Sequence, residues 1–272
     1  MLPMSVPLDL AAVVQCRVPT ATRQDLVLSK PLMRVLERIA VRWCERTQEG
    51  HGGGRDGGIS VLFTGPRGTG KTLAAEVLAH EARLDLYRVD LSQLAGRNIG
   101  ETEKNLSRLF EAAESARALL FFDEADALFG KRSEVKDAHD RYAAMDTDFL
   151  LQRIEGFVGI VILATGRRGD IDPAFLRRLA FAMDFAFPEM AERAEIWRRI
   201  FPPMTPTAEL NVDSLARLNV SGGNIRNIAL GAAFVAADED APVTMAHLLR
   251  AARAEYAKLE RPLTDSEIGG WS

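Results

Sequence analysis

The sequence predicts an α/β fold: a five-stranded parallel sheet sandwiched by helices, followed by a small all-helical unit. Short β-branched or apolar runs alternate with helical patterns from Ile59 to Phe185, the signature of strands joined by crossover helices. After Pro188 the strand signal stops and only helical periodicity continues. A chain of 272 residues, 47% hydrophobic and 26% charged, is long enough to bury one large domain with a small companion.

Each element follows from local pattern. Residues 1–24 show no period and read as a loosely held N-terminal arm. From Ser29, a helix-capping residue type, the apolar positions Leu32, Val35, Leu36, Ile39 and Trp43 recur at three- and four-residue steps and predict an amphipathic helix. The stretch GHGGGRDGG (50–58) is a flexible connector, because every glycine there would lose much backbone freedom on ordering. Strands are expected at Ile59–Thr64, Leu84–Asp90, Ala118–Phe122, Gly159–Thr165 and Ala180–Phe185. Helices are expected at Lys71–Ala82, Thr102–Ala116, Asp140–Phe157 and Pro173–Leu179. Beyond Pro188, EMAERAEIWRRIF, VDSLARL, NIRNIALGAAFVAA and TMAHLLRAARAEYAKL all read as helices. The expected domains are an α/β nucleotide-binding domain (25–187), a helical lid (188–262) and a C-terminal tail (263–272).

Composition removes several function classes. A formal charge of −4 creates no global positive field for nucleic acid or anionic lipid. The longest apolar runs are strand-sized, far short of the ~20 residues of a membrane span. The first residues lack a basic stretch, and Asp9 interrupts their apolar run, so the expected location is cytoplasmic. Cys16 and Cys44 lie apart without a CxxC spacing, which fits free thiols in a reducing compartment.

The chemistry begins where the first strand ends. GPRGTGKT comprises Gly65, Pro66, Arg67, Gly68, Thr69, Gly70, Lys71 and Thr72. It satisfies G-x-x-x-x-G-K-[ST] between a strand and a helix, the context a phosphate loop requires. Its glycines let backbone N–H groups curl around phosphate oxygens at a helix N-terminus. Lys71 would neutralise the β/γ-phosphates, and the Thr72 hydroxyl would ligate Mg²⁺. The run ALLFF then delivers Asp123 and Glu124 at a strand's carboxyl end, the edge where open α/β sheets bind ligands. Asp123 is the expected Mg²⁺ partner and Glu124 the expected base that activates water. The cofactors expected are therefore ATP and Mg²⁺ on a P-loop NTPase fold.

Taken together, the phosphate loop, DEADALF, ILAT, DPAFLRR and a C-terminal helical lid resemble the AAA branch of the AAA+ ATPases over roughly residues 25–262. The wording of GETEKNL, FGKRSEVKDAHDRY, LLQRIEGF, SGGNIRNIAL and LLRAARAEYAKLERPLT further resembles the AAA ATPase of phage-tail-like contractile injection systems. The resemblance implies a homo-oligomeric ring, commonly hexameric, with ATP between neighbours and an axial pore that pulls or remodels protein substrates. Here those would be injection-particle sheath, tube or cargo. It also implies that Arg177 is a finger reaching the neighbouring subunit's γ-phosphate, with Arg178 beside it, a contribution worth ~10³–10⁵ in rate. Arg226 would read the nucleotide from the lid, and Gly222 and Gly223 would let backbone approach it closely.

Three positions depart from that pattern. Gly166 stands where an asparagine orients the attacking water, Ala180 where a second finger is expected, and Asn98 where a pore-loop aromatic grips a threaded chain. Thr165 is a candidate hydroxyl near the water, and Arg167 and Arg168 are candidate replacement cations. The departures leave three functions open: an ATPase remodelling injection particles, a general AAA unfoldase or chaperone, and a slowly hydrolysing nucleotide-gated assembly factor. A clamp-loader-like role on DNA is disfavoured by the acidic balance.

Overall fold

The computed structural model describes residues 13–48, 58–91, 101–125, 147–166, 171, 173–269 and 271. Most of the glycine connector, Arg97–Gly100, the acidic box beyond Ala125, KRSEVKDAHDRY, Arg167 and Arg168 lie outside the described residues. In chain order the elements begin β1 (Val14–Arg17), α1 (Lys30–Gln48), β2 (Ile59–Thr64), α2 (Lys71–Ala82), β3 (Asp85–Asp90) and α3 (Glu101–Ala116). They continue β4 (Ala118–Asp123), α4 (Thr147–Gly156), β5 (Ile160–Thr165), α5 (Pro173–Leu176) and β6 (Phe181–Asp184). Five helices close the chain: α6 (Met190–Arg199), α7 (Val212–Leu215), α8 (Gly222–Asp238), α9 (Met245–Lys258) and α10 (Asp265–Ile268). Two compact units result. The first holds the described residues up to Gln24, Lys30–Pro66 and Lys71–Phe185; the second holds Asp25–Ser29, Arg67–Gly70 and the residues from Ala186 onward.

In the first unit the strands are ordered β1-β3-β4-β5-β2-β6. The five expected strands are parallel, as their lack of polar alternation implies: β5 is buried at every position, and β4 at all but Asp123. Helix α2 is buried through Ala74, Ala75, Val77, Leu78, Ala79 and Ala82. The core joins Leu120, Phe122, Val161 and Leu163 from the sheet to Leu109, Phe110, Leu150, Ile154 and Phe157. Within it Phe110 meets Phe157 edge-on, with ring centroids 5.3 Å apart, a geometry aromatic quadrupoles favour.

Among the described residues the sheet has six strands, not five. Part of the expected arm, Val14–Arg17, pairs antiparallel with β3, Val14 opposite Val89 and Arg17 opposite Leu86. Four residues with only Val14 buried carry too little alternation to read as a strand. The following residues are also held: the Thr20 N–H donates to Glu76 at 3.4 Å, and Arg23 bridges Glu37 and Glu81. Cys16 and Cys44 are free thiols.

The second unit is helical, and its helix starts are fixed by reciprocal caps. Ser221 with Asn224 opens α8, Thr244 with His247 opens α9, and Thr264 with Glu267 opens α10. Trp197, Leu215, Leu218, Ile225, Ile228, Leu248 and Tyr256 form its core. The expected tail joins that core, because Trp271 is buried in it and α10 brings Glu267 under Tyr256. An isolated apolar residue in a short polar segment gives no periodic signal, so this docking was not legible.

Glu267 accepts from the Tyr256 hydroxyl at 2.5 Å, the Asn219 N–H at 3.0 Å, the Thr264 N–H at 3.1 Å and the Thr264 hydroxyl at 2.8 Å. Burial opposes its ionisation, but these donors outweigh burial and hold the carboxyl at about 2. The same burial, together with the bond to Glu267, pushes the Tyr256 phenol up. A folded pKa below the unfolded one gives stability that is complete above the ordinary carboxylate range and is lost as pH falls toward 2. Glu267→Gln should therefore destabilise this unit by roughly 3 kcal/mol at pH 7. It should also flatten the loss of stability between about pH 4.5 and 2, read by thermal melts across that range.

Candidate nucleotide-binding site

The strand order brings the chemistry to one edge of the sheet. Thr64 lies beside Thr165 on one side and Asp184 on the other, and Asp90 lies beside Asp123, all at carboxyl ends. The predicted phosphate loop leaves β2 there. Gly65 has φ +132°, and a Cβ on it would meet the Phe185 carbonyl oxygen at 2.1 Å, so only glycine fits this first turn. Gly68 and Gly70 also have positive φ, +78° and +102°. Pro66, Arg67 and Gly68 are exposed, while Thr69 through Thr72 are half-buried.

Lys71 is the first residue of α2 and folds back over the loop. Its ammonium donates to the Gly65 carbonyl at 2.6 Å and the Pro66 carbonyl at 2.7 Å. The cation is thus held over the strand-to-loop turn. Thr72 follows it on the first turn of α2. At the root of the loop the Gly65 N–H donates to the Thr165 carbonyl at 3.2 Å. Thr165 is buried at the end of β5 and is followed by the exposed Gly166.

The acidic pair sits at the end of β4. Asp123 Oδ1 accepts from the Glu124 N–H at 3.0 Å, and Oδ2 receives Arg88 Nε at 3.1 Å and Nη2 at 2.6 Å. Glu124 is exposed and has φ 53°, an uncommon left-handed conformation for a glutamate. The next residue returns to the sheet, since the Ala125 N–H donates to the Ala164 carbonyl at 2.8 Å. The turn therefore sets the Glu124 backbone between two anchored neighbours. Asp123 keeps only 19% side-chain exposure and already binds a cationic group, a donor chemistry that suits a hard divalent cation.

The remaining predicted residues are not all gathered here. Arg177 and Arg178 follow α5 and are exposed. Arg178 is tied within its own unit, Nε to Glu155 at 2.7 Å and Nη1 to Asp148 at 3.8 Å, and its hydrogen bond lowers the Glu155 pKa. Ala180 donates its N–H to the Ser60 carbonyl at 3.1 Å. Arg226 is exposed on the second turn of α8. Gly222 and Gly223 are the first residues of that helix, and the Gly223 N–H donates to the Gly68 carbonyl at 2.9 Å inside the second unit. A Cβ on Gly223 would come within 3.0 Å of the Gly68 Cα. The close approach seen at Gly223 is thus to the loop's own backbone.

Two residues were missed by sequence reasoning. Arg88 interrupts the otherwise apolar centre of β3, a polar residue two positions before Asp90 that could have drawn notice. Asp184 accepts from the buried Thr64 hydroxyl at 2.8 Å beneath the loop, and nothing in its sequence context signals that.

A largely parallel sheet that delivers a lysine-closed glycine-rich loop from one strand and an acidic pair from another, at one edge, defines a P-loop NTPase fold. Residues 61–189 match the family model "ATPase family associated with various cellular activities (AAA)". This stretch of the chain is an AAA-family ATPase domain.

Among curated relatives, the chain is 35% identical over 185 residues to 26S proteasome regulatory subunit 7 of Caenorhabditis elegans, covering 65% of this chain and 42% of that protein. It is 32% identical over 201 residues to the proteasome-activating nucleotidase of Saccharolobus islandicus, covering 70% and 51%. The subunit 7 of Dictyostelium discoideum is 34% identical over 185 residues, covering 65% and 43%. The chain therefore spans about half or less of these relatives' lengths. Their names are proteasomal and lend no support to the narrower resemblance to contractile injection systems. Among the described residues, no helix is long and apolar enough to cross a membrane.

Proposed function

We propose that the chain couples ATP turnover to the remodelling or unfolding of protein substrates within a homo-oligomeric, hexameric ring. The observation that carries the reading is the shared sheet edge of the lysine-closed loop and the Asp123–Glu124 pair. In this reading Thr72 and Asp123 would hold Mg²⁺, which would neutralise phosphate charge, Glu124 would take the proton of the attacking water, and Arg226 would read nucleotide from the lid. The proteasomal names of the relatives favour a general unfoldase. Injection-particle components are the narrower client, supported only by the wording of motifs such as SGGNIRNIAL.

Arg177 is assigned as the finger acting on a neighbour, favoured over Arg178 because Arg178 is already paired with Glu155. A group that stabilises charge developing on another subunit's phosphate contributes little to ground-state binding in its own. Arg177→Ala should leave nucleotide affinity within about twofold and lower turnover at least ~100-fold in the assembled state. Mixing it with Lys71→Ala subunits should restore phosphate release above either variant alone. No recovery where mixed rings form would sink the assignment.

A second reading, slow turnover by a nucleotide-gated assembly factor, is favoured by Gly166 and Ala180. Neither has a side chain able to hold water or supply positive charge. Phosphate release measured against protein concentration separates the two readings.

A further inference from the structure

Arg88 reaches Asp123 because of strand register. It lies directly opposite Phe121, so Asp123, two residues on, is its diagonal neighbour on the same face of the parallel ladder. Asp90 and Asp123 are themselves direct partners, and two carboxylates so placed repel. The guanidinium lies along this acidic edge and gives two donors to Asp123 Oδ2, while Oδ1 is taken by the Glu124 N–H. Both oxygens of the proposed cation ligand are therefore engaged by groups of the chain itself.

We propose that Arg88 is a positioning residue that competes with the divalent cation for Asp123 and so sets how much cation the site needs. This rests on the nucleotide-site reading above. A dication approaching the carboxylate meets a fixed positive charge on Oδ2, and two cations sharing one oxygen repel in a partly buried site. The guanidinium must give up at least one of its two bonds as the cation arrives. In return it keeps Asp123 aimed along the sheet edge before the cation comes, and it offsets the repulsion from Asp90. A purely structural role would affect melting temperature alone; competition also predicts a change in cation requirement.

The test is equilibrium binding of a fluorescent ADP analogue to the full chain as Mg²⁺ is titrated, with binding in excess chelator as the cation-free reference. Arg88→Met, which keeps the apolar stem, should move the Mg²⁺ midpoint at least threefold lower, with cation-free affinity within twofold of wild type. Arg88→Lys, a single-point donor, should fall between them, and it carries the test should the methionine variant fail to fold. In an Asp123→Asn background the same Arg88 substitutions should leave the midpoint unmoved. A midpoint unchanged or raised in both Arg88 variants, with wild type binding normally, overturns the proposal alone. Absence of nucleotide binding by wild type at every Mg²⁺ concentration overturns the nucleotide site and the proposal with it.

Discussion

Lys71→Ala is expected to lower nucleotide affinity at least tenfold, and by as much as about a hundredfold, while leaving the fold intact. The ammonium makes two contacts with the Gly65 and Pro66 carbonyls, so its loss opens the strand-to-loop turn as well as removing the positive charge held there. Hydrogen bonds to charged groups contribute about 1.5–3 kcal/mol, and each 1.4 kcal/mol is a factor of ten in affinity. The side chain is half-buried rather than part of the apolar core, so the melting temperature should move little. Equilibrium binding of a fluorescent ATP analogue, alongside a thermal melt, checks both halves. Unchanged affinity in a folded variant would remove Lys71 from the site.

Glu124→Gln should produce the opposite split: nucleotide binding within about threefold of wild type, and turnover lowered at least ~100-fold, the usual scale for loss of a positioned base. An amide keeps the shape of the carboxylate but cannot accept a proton near neutral pH. Glu124 is held at φ 53° between the Asp123 side chain and the Ala125–Ala164 bond, and glutamine meets the same steric demand there as glutamate. The strain is unchanged, and the measurement isolates the proton acceptor. Phosphate release and nucleotide binding measured on one preparation decide the matter; turnover at the wild-type rate would move the base elsewhere.

What the sequence made legible was local. The loop could be read because its glycines, lysine and threonine occupy fixed offsets after a strand, and the structure then shows why Gly65 and Gly68 have to be glycine. Strands β2, β4 and β5 were legible because both of their faces are covered, which leaves unbroken apolar runs. Pairings across register were not. Arg88 finds Asp123 only once β3 and β4 are aligned, and Thr64 finds Asp184 only once β6 lies beside β2. The division of labour between Arg177 and Arg178 likewise depends on Glu155, which a distant helix supplies. The short β1 and the seat of Trp271 were missed because neither is long enough to repeat.

The strand order also dictates when, during synthesis, the loop can acquire its shape. Strand β2 pairs with neither of the strands nearest to it in the chain; its partners are β5, with Ile59 beside Ile160, and β6, with Val61 beside Phe181. By contrast β3 and β4 are sequential neighbours and can associate early. Closing so long a loop costs entropy before any ladder bond repays it. A ribosome-bound chain that has released β2 through β4 therefore carries its phosphate loop on an unpaired strand, without the Thr165 carbonyl that anchors Gly65. Nucleotide can act as a folding ligand only late, after β5 and β6 have left the exit tunnel.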